Sequence, residues 1–190
     1  MNKLTASLAA LALFAALPGQ AAQQLDPAKS EIRFVARQMN VPAEGRFRKF
    51  SANVNFDPAR LAQSSVTVDI DIASIDLGSA ENEAELKKKS WFNSAGFPSA
   101  RFSASNFKSK GGNQYEVSGK LSIKGISRDV TAPFTVQQNG AQLTVSGSVP
   151  LKRLAFNVGE GEWADTETVA DEVLVKFRLN LVNTSTAAKK

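Results

Sequence analysis

The sequence predicts an all-β protein: an eight-stranded antiparallel barrel with a short helical insertion around residues 79–90. Three observations carry that expectation. Apolar and polar residues alternate with period two in eight separate stretches, the pattern of strands with one buried face. Turn-forming pairs, Asp57-Pro58, Gly111-Gly112, Lys124-Gly125 and Asn139-Gly140, separate several of them. One segment alone, Ser79 to Ser90, has the pattern of a helix.

The stretches follow in order. Ile32, Phe34 and Ala36 alternate with Glu31, Arg33 and Val35; Phe50, Ala52, Val54 and Phe56 with serine and asparagines; Val66, Val68, Ile70 and Ile72 with Thr67, Asp69 and Asp71. Ala100, Phe102 and Ala104 form the fourth, and Tyr115 to Ile123 the fifth. Val130 to Val136, Leu143 to Leu151 and Val173 to Leu181 complete the set. Asn139-Gly140 between the sixth and seventh is the strongest short hairpin signal. The phase slips between Phe47 and Phe50 and between Ile72 and Ile75, which predicts β-bulges that help a sheet curl. In the helical segment Ser79 supplies an N-cap, Glu81 and Glu83 lie near the positive end of the dipole, and Lys87 to Lys89 near the negative end. Glu83–Lys87 and Glu85–Lys89 stand four apart in the favourable order. Leu86 is its single large apolar residue, so the helix covers something rather than building a core.

Residues 1–21 read as a cleavable secretory leader: Lys3, an uncharged run from Leu4 to Leu17, then Pro18-Gly19 and small residues before Ala21. The run is shorter than the about 20 residues a spanning helix needs. Residues 22–183 are expected to form one barrel domain and 184–190 a flexible tail. The implied location is the periplasm, and oligomeric state, monomer or homodimer, is left open.

There is no cysteine and no histidine. An exported domain without cysteine is held by its core alone. The missing histidine removes the commonest general base and metal ligand, so neither catalytic residues nor a metal site are assigned. The net charge of +5 is spread over short clusters such as Arg46-Arg48-Lys49 and Lys87-Lys88-Lys89. No continuous basic face with interleaved aromatics marks a nucleic-acid reader. The sharper reading of these clusters is weak attraction to anionic lipid headgroups, the plainer one a solvated mixed surface.

An eight-stranded barrel can point its apolar face inward or, in an outer membrane, outward. Asp69, Asp71, Glu116, Lys120, Lys176 and Arg178 crowd the polar face, more charge than a narrow lumen holds, and aromatic girdles are absent. The apolar face is therefore expected inside. The interior is then packed solid or hollow around one apolar ligand. Small residues at inward positions, Ala52, Ala104, Gly119, Ala132 and Gly147, point slightly to a packed interior in which they offset large phenylalanines.

Several segments together resemble a known family: Asp26-Pro27-Ala28-Lys29-Ser30, Gly45-Arg46-Phe47, Val66 to Ile70, Ser74-Ile75-Asp76, Trp91-Phe92-Asn93, Phe97 to Phe102, Gly119 to Ile126 and Val149 to Arg153. In order and spacing they are similar to the YceI-like proteins, lipocalin-like, polyisoprenoid-binding proteins of the bacterial cell envelope. The resemblance implies a long apolar channel for an isoprenoid lipid, a polyprenol or the tail of a quinone, with the lipid as ligand and no cofactor. It implies binding or transport rather than catalysis. Where many members carry histidine after the first strand and an Arg-Asp-x-His-Leu stretch, this chain has Arg37-Gln38-Met39 and Glu83-Ala84-Glu85-Leu86, so headgroup contacts differ. The stretch Gly159 to Thr166 resembles a subgroup related to soluble domains beside cytochrome b561-type membrane proteins. That implies, as an alternative function, a non-catalytic module docking on an inner-membrane redox partner.

The segment from Phe156 to Phe177 concentrates Glu160, Glu162, Asp165, Glu167, Asp171 and Glu172 around Trp163. Glycines and polar neighbours argue for exposed carboxylates, and their spacing is not that of a calcium loop. Trp163 is expected to fold over one rim of the barrel. The pocket candidates are Phe34, Phe47 and Phe50; Ile70 and Ile72; Leu86 and Phe92 around the helix; Phe102, Leu121 and Phe134 on later strands; and Phe156, Trp163 and Phe177.

Overall fold

The structure, a computed structural model, describes residues 22–184. The expected leader, residues 1–21, and residues 185–190 of the expected tail lie outside the described residues. Among the described residues, eleven strands make one antiparallel sheet: β1 (Ala22–Leu25), β2 (Glu31–Gln38), β3 (Val41–Phe47), β4 (Phe50–Asn55), β5 (Ser65–Asp71), β6 (Ile75–Asp76), β7 (Ser99–Gly111), β8 (Gln114–Ile123), β9 (Ile126–Asn139), β10 (Gln142–Lys152) and β11 (Glu172–Thr184). Six of them run end to end in pairs, β1 with β2, β3 with β4, and β5 with β6. β1 pairs β4 and β2 pairs β3, while β4 pairs β5 and β3 pairs β6. β11 spans both halves of the first pair, Leu25 facing Leu181 and Phe34 facing Val175, and so closes the ring. The result is the eight-stranded barrel the alternation predicts.

The phase slips mark real irregularities of another kind. Between β3 and β4 the ladder stops at Arg48 and Lys49, and between β5 and β6 a 3₁₀ turn takes up Ile72–Ser74. The expected bulges at these places are instead interruptions that bond to each other: Arg48 N–H donates to the Ser74 carbonyl at 3.0 Å, and Asp71 N–H to that of Lys49 at 3.0 Å. A capping carboxylate favours the turn, since Asp71 accepts from Ala73 N–H at 2.9 Å. Register shifts do occur elsewhere, in β7 between Ala104 and Asn106 and between Ser109 and Gly111.

Alternation hides β3, because Pro42 and Gly45 break its pattern. Gly45 leaves room for a ring: a Cβ there would lie 2.4 Å from Phe34 Cζ, so the phenyl group lies across bare backbone. The β2–β3 turn has Met39 and Asn40 both left-handed, at φ 49° and 64°, as a two-residue turn of matching twist requires. Between β9 and β10 it is Gly140, at φ 59°, that turns the chain. The helix is shorter than its pattern, α1 (Ala80–Leu86), with the Ser79 hydroxyl accepting from Asn82 N–H. The expected i,i+4 pairs do not form. Glu85 pairs with Lys88 on the tightened last turn, and Glu83 accepts from Leu77 N–H at 3.1 Å.

At one end of the barrel, here the floor, Val54, Phe56, Val117, Phe134, Leu143 and Leu181 pack together. At the other, Trp91, Leu121, Phe156, Val158 and Val169 form a second cluster under α1 and the β10–β11 connection.

Candidate functional site

Alternation sends the apolar residues inward, and they do not fill the space. They enclose a cavity of about 510 Å³, in the range of a site for one organic molecule. The packed interior expected from the small inward residues holds only at the floor. There Phe56 meets Tyr115 and Phe134 at ring separations of 5.1 and 5.8 Å, and Tyr115 stacks on Phe134 at 5.5 Å. Gly119 is used up against Ala104, and Gly147 against the Phe177 ring. Phe56, Phe107, Tyr115 and Phe134 gather low, and the volume above them stays open.

Most of the sequence candidates meet around this space. Phe34 and Phe47 lie 5.6 Å apart on neighbouring strands, and Phe92 meets Phe47 edge-on at 6.4 Å. Ile70, Ile72, Phe102, Leu121, Phe134 and Phe177 line the wall, and Leu86, Phe156 and Trp163 the upper end. Phe50 does not border the cavity. It is half-buried at the first residue of β4, just past the interruption at Arg48 and Lys49. Among the described residues, the polar ones that border the cavity do so only at its upper end: Arg37, Gln38 and Glu44 of the β2–β3 hairpin, Asn82 and Glu85 of α1, and Arg153.

The β10–β11 connection forms a lid, and Arg153 holds it. It follows Lys152 in the sequence, a pair of cations that would ordinarily lie in water, but it is 5% exposed. Its guanidinium donates to the carbonyls of Val158 and Gly159, both at 2.9 Å, of Trp163 at 2.6 Å, of Val169 at 2.7 Å and of Ala170 at 3.1 Å. It also lies over the Trp91 ring, 5.7 Å from the centroid. Burial holds its pKa below the ordinary value, opposed by Asp171. Gly159 admits this arrangement: its φ is +82°, and a Cβ would lie 2.3 Å from Arg153 Nη1.

The acidic residues of the lid divide between a tie to the frame, bonds within the lid and exposed positions. Glu160 pairs with Lys124 at 2.6 Å, and that ammonium also donates to the Asn157 carbonyl. Asp165 accepts from the Thr168 hydroxyl at 2.6 Å and Glu167 N–H at 3.0 Å, which hold its carboxyl below the usual range. Asp171 accepts from Leu154 N–H at 3.0 Å. Glu162 and Glu167 are exposed. Trp163 folds over the rim and meets Trp91 at 5.4 Å. The lid is laced to the β2–β3 hairpin: Met39 N–H donates to the Thr168 carbonyl and Ala170 N–H to that of Arg37, both at 2.9 Å. Among the described residues no group of three carboxylates is placed to hold a metal ion.

The family model described as the YceI-like domain matches residues 23–181. The chain belongs to the YceI-like family. A UPF0312 protein of Photorhabdus laumondii is 31% identical over 125 residues, which cover 62% of this chain and 65% of that protein. A UPF0312 protein of Shewanella denitrificans is 33% identical over 87 residues, 46% of each chain. The matched part thus spans less than two thirds of these curated relatives. The crystal structure of BcnA from Burkholderia cenocepacia is 52% identical, covers 83% of this chain and 99% of its own, and superposes with a TM-score of 0.81. A polyisoprenoid binding domain from Saccharophagus degradans shares the fold at TM-score 0.71 and 17% identity, over 86% of this chain and 99% of its own.

Two residues of this YceI-like site have no clear mark in the sequence. Arg153 sits one residue past the end of β10 and two past Leu151, its last alternating position, where the chain leaves the sheet. Trp91 reads as the residue after the helix and as part of the Trp91-Phe92-Asn93 segment, and neither reading gives it a place in the site; it is 7% exposed, and its indole nitrogen has no hydrogen-bond partner within the protein.

Proposed function

We propose that this chain is a periplasmic carrier that encloses the long apolar tail of an isoprenoid lipid, a polyprenol or a quinone, in the barrel. One observation carries the reading: a cavity of about 510 Å³ with aliphatic and aromatic walls and polar residues at one end only. A chain molecule with an apolar body and one polar end matches that distribution. Each buried CH₂ contributes about 0.8 kcal/mol, so about ten give roughly 8 kcal/mol before ordering costs. Such a site sorts ligands by girth and length more than by headgroup. The fold shared with the polyisoprenoid binding domain of Saccharophagus degradans agrees with this class of ligand. The leader pattern of residues 1–21 supports export.

The test is mass spectrometry of an organic extract of the protein purified without detergent, followed by uptake of added ubiquinone or polyprenol. A stoichiometric long-chain lipid, or saturable uptake, supports the carrier; a clean extract with no uptake overturns it. Ala36 borders the cavity, and Ala36→Trp should occupy volume there. It is expected to weaken quinone uptake about tenfold or more with the fold retained.

A further inference from the structure

The outer surface of β10, β11, β2 and β3 has an order that folding alone does not call for. Register sets Ser148 beside Lys176, Lys176 beside Arg33, and Arg33 beside Arg46, so three cations stand abreast on adjacent strands. Like charges directly opposite one another destabilise a sheet. Arg178 stands beside Glu31 in the next row, and Arg48 follows Arg46 past the end of β3. Glu31 pairs with Arg33 and Arg178, and Asp76 with Arg46 and Arg48. Lys176 has no carboxylate within ion-pair distance among the described residues. Toward the lid, a row of Pro150, Leu174 and Val35 ends at Glu44, and Lys152, Glu172 and Arg37 stand beyond it. Counting Glu31, Glu44, Asp76 and Glu172, cations still outnumber carboxylates on this face.

The same hairpin ends in Met39 and Val41, 69% and 65% exposed, the two most exposed large apolar residues described. A methionine with φ 49° is an uncommon tip residue. The tip is held firm by the bond from Met39 N–H to the lid.

We propose that this hairpin and the cationic face beside it are a docking surface for an anionic phospholipid bilayer. The cations meet headgroup phosphates, Met39 and Val41 enter the interfacial layer, and the polar end of the cavity is brought to the membrane. A depression between Glu31, Arg33, Ser148, Lys176 and Arg178 lies within this field. The cations run well beyond it, to Arg46, Arg48 and Arg37 on neighbouring strands, and so offer a broad anionic layer more contacts than they offer a partner seated in the depression. Apolar side chains at the end of that field match the step from headgroup to acyl chain.

The test is flotation of the full-length chain with vesicles of phosphatidylcholine alone or mixed with phosphatidylglycerol; parent and variants keep the same first 21 residues, so any contribution from these is common to all. The parent should bind the anionic vesicles more tightly, and less so as salt is raised. Each basic residue near such a surface is worth about fivefold, so R33Q/K176Q should lose about thirtyfold. M39N/V41S, with an asparagine suited to the left-handed turn, should lose about tenfold. Equal binding to neutral and anionic vesicles, or R33Q/K176Q binding as the parent does, overturns the proposal. So does a parent that ignores vesicles but is retained on immobilised polyglutamate through these cations, which would make the face an acidic-protein site. No isoprenoid is present in the assay, so its failure leaves the carrier reading standing.

Discussion

Asp76 is 7% exposed and accepts from Arg46 at 2.7 Å and Arg48 at 2.8 Å. Its hydrogen bonds to Arg48, then to Arg46, hold its carboxyl well below the usual carboxylate range. A carboxylate with a depressed folded-state pKa stabilises the fold at pH above its ordinary value of 3.8, and the contribution is lost as pH falls below it. Asp76→Asn should therefore lower the melting temperature at neutral pH, with the gap to the parent closing on acidification below about pH 4. A gap constant with pH would mean the ion pairs contribute nothing. Arg153 acts by hydrogen bonding rather than by ion pairing. Replacing it with methionine would strand five lid carbonyls and should cost about 2–4 kcal/mol in denaturant unfolding; a variant within about 0.5 kcal/mol of the parent would show that the lid is held by other means.

Among the elements, the lid covers the upper end of the cavity beside α1 and the β2–β3 hairpin. Trp163 lies between the cavity and solvent against Trp91, and Trp163→Ala should release a bound quinone about tenfold faster or more while costing about 2 kcal/mol of stability. An unchanged release rate would place the ligand's path elsewhere. Six of the eight period-two stretches fall within single strands of the structure, because a sheet with one wet face has to alternate. The exceptions each overrun by their last residue: Phe56 lies just past the end of β4, and Ile72 leaves β5 for the 3₁₀ turn. β1 was hidden by Gln23 and Gln24, polar residues inside a strand; Gln23 both donates to and accepts from the Phe56 backbone at 2.9 Å. The Arg153 hub was hidden because its partners are backbone carbonyls, which carry no residue signature. Trp163 at the rim could be read in advance, since a tryptophan among glycines and carboxylates has few other ways to leave water.

For the whole molecule, composition told that a large apolar interior exists, but not how it divides between packed rings and open space. That division depends on where phenylalanines fall along the barrel axis: Phe56, Phe107 and Phe134 meet at the floor through long-range contacts, at ring separations of 5.8 to 6.1 Å. The three interruptions of the wall, at 26–30, 48–49 and 72–74, lie side by side on adjacent strands. A sheet whose ladders stop together at one level is creased there, and a crease bends more easily than the unbroken panel formed by β7 to β11. The β2–β3–β6 panel is thus a leaf of the wall: it stays joined to β11 by the β2 ladder and to the lid at Arg37 and Met39, and it meets the rest of the wall across the crease through few bonds. Amide exchange should report this as faster opening at Arg48, Lys49 and Asp71 than at Val145 or Leu179 on the opposite wall. A vessel built this way would yield first along that fold, much as a purse opens along its frame, so the stiffness of the fold and not only the width at rest would bear on what it can hold.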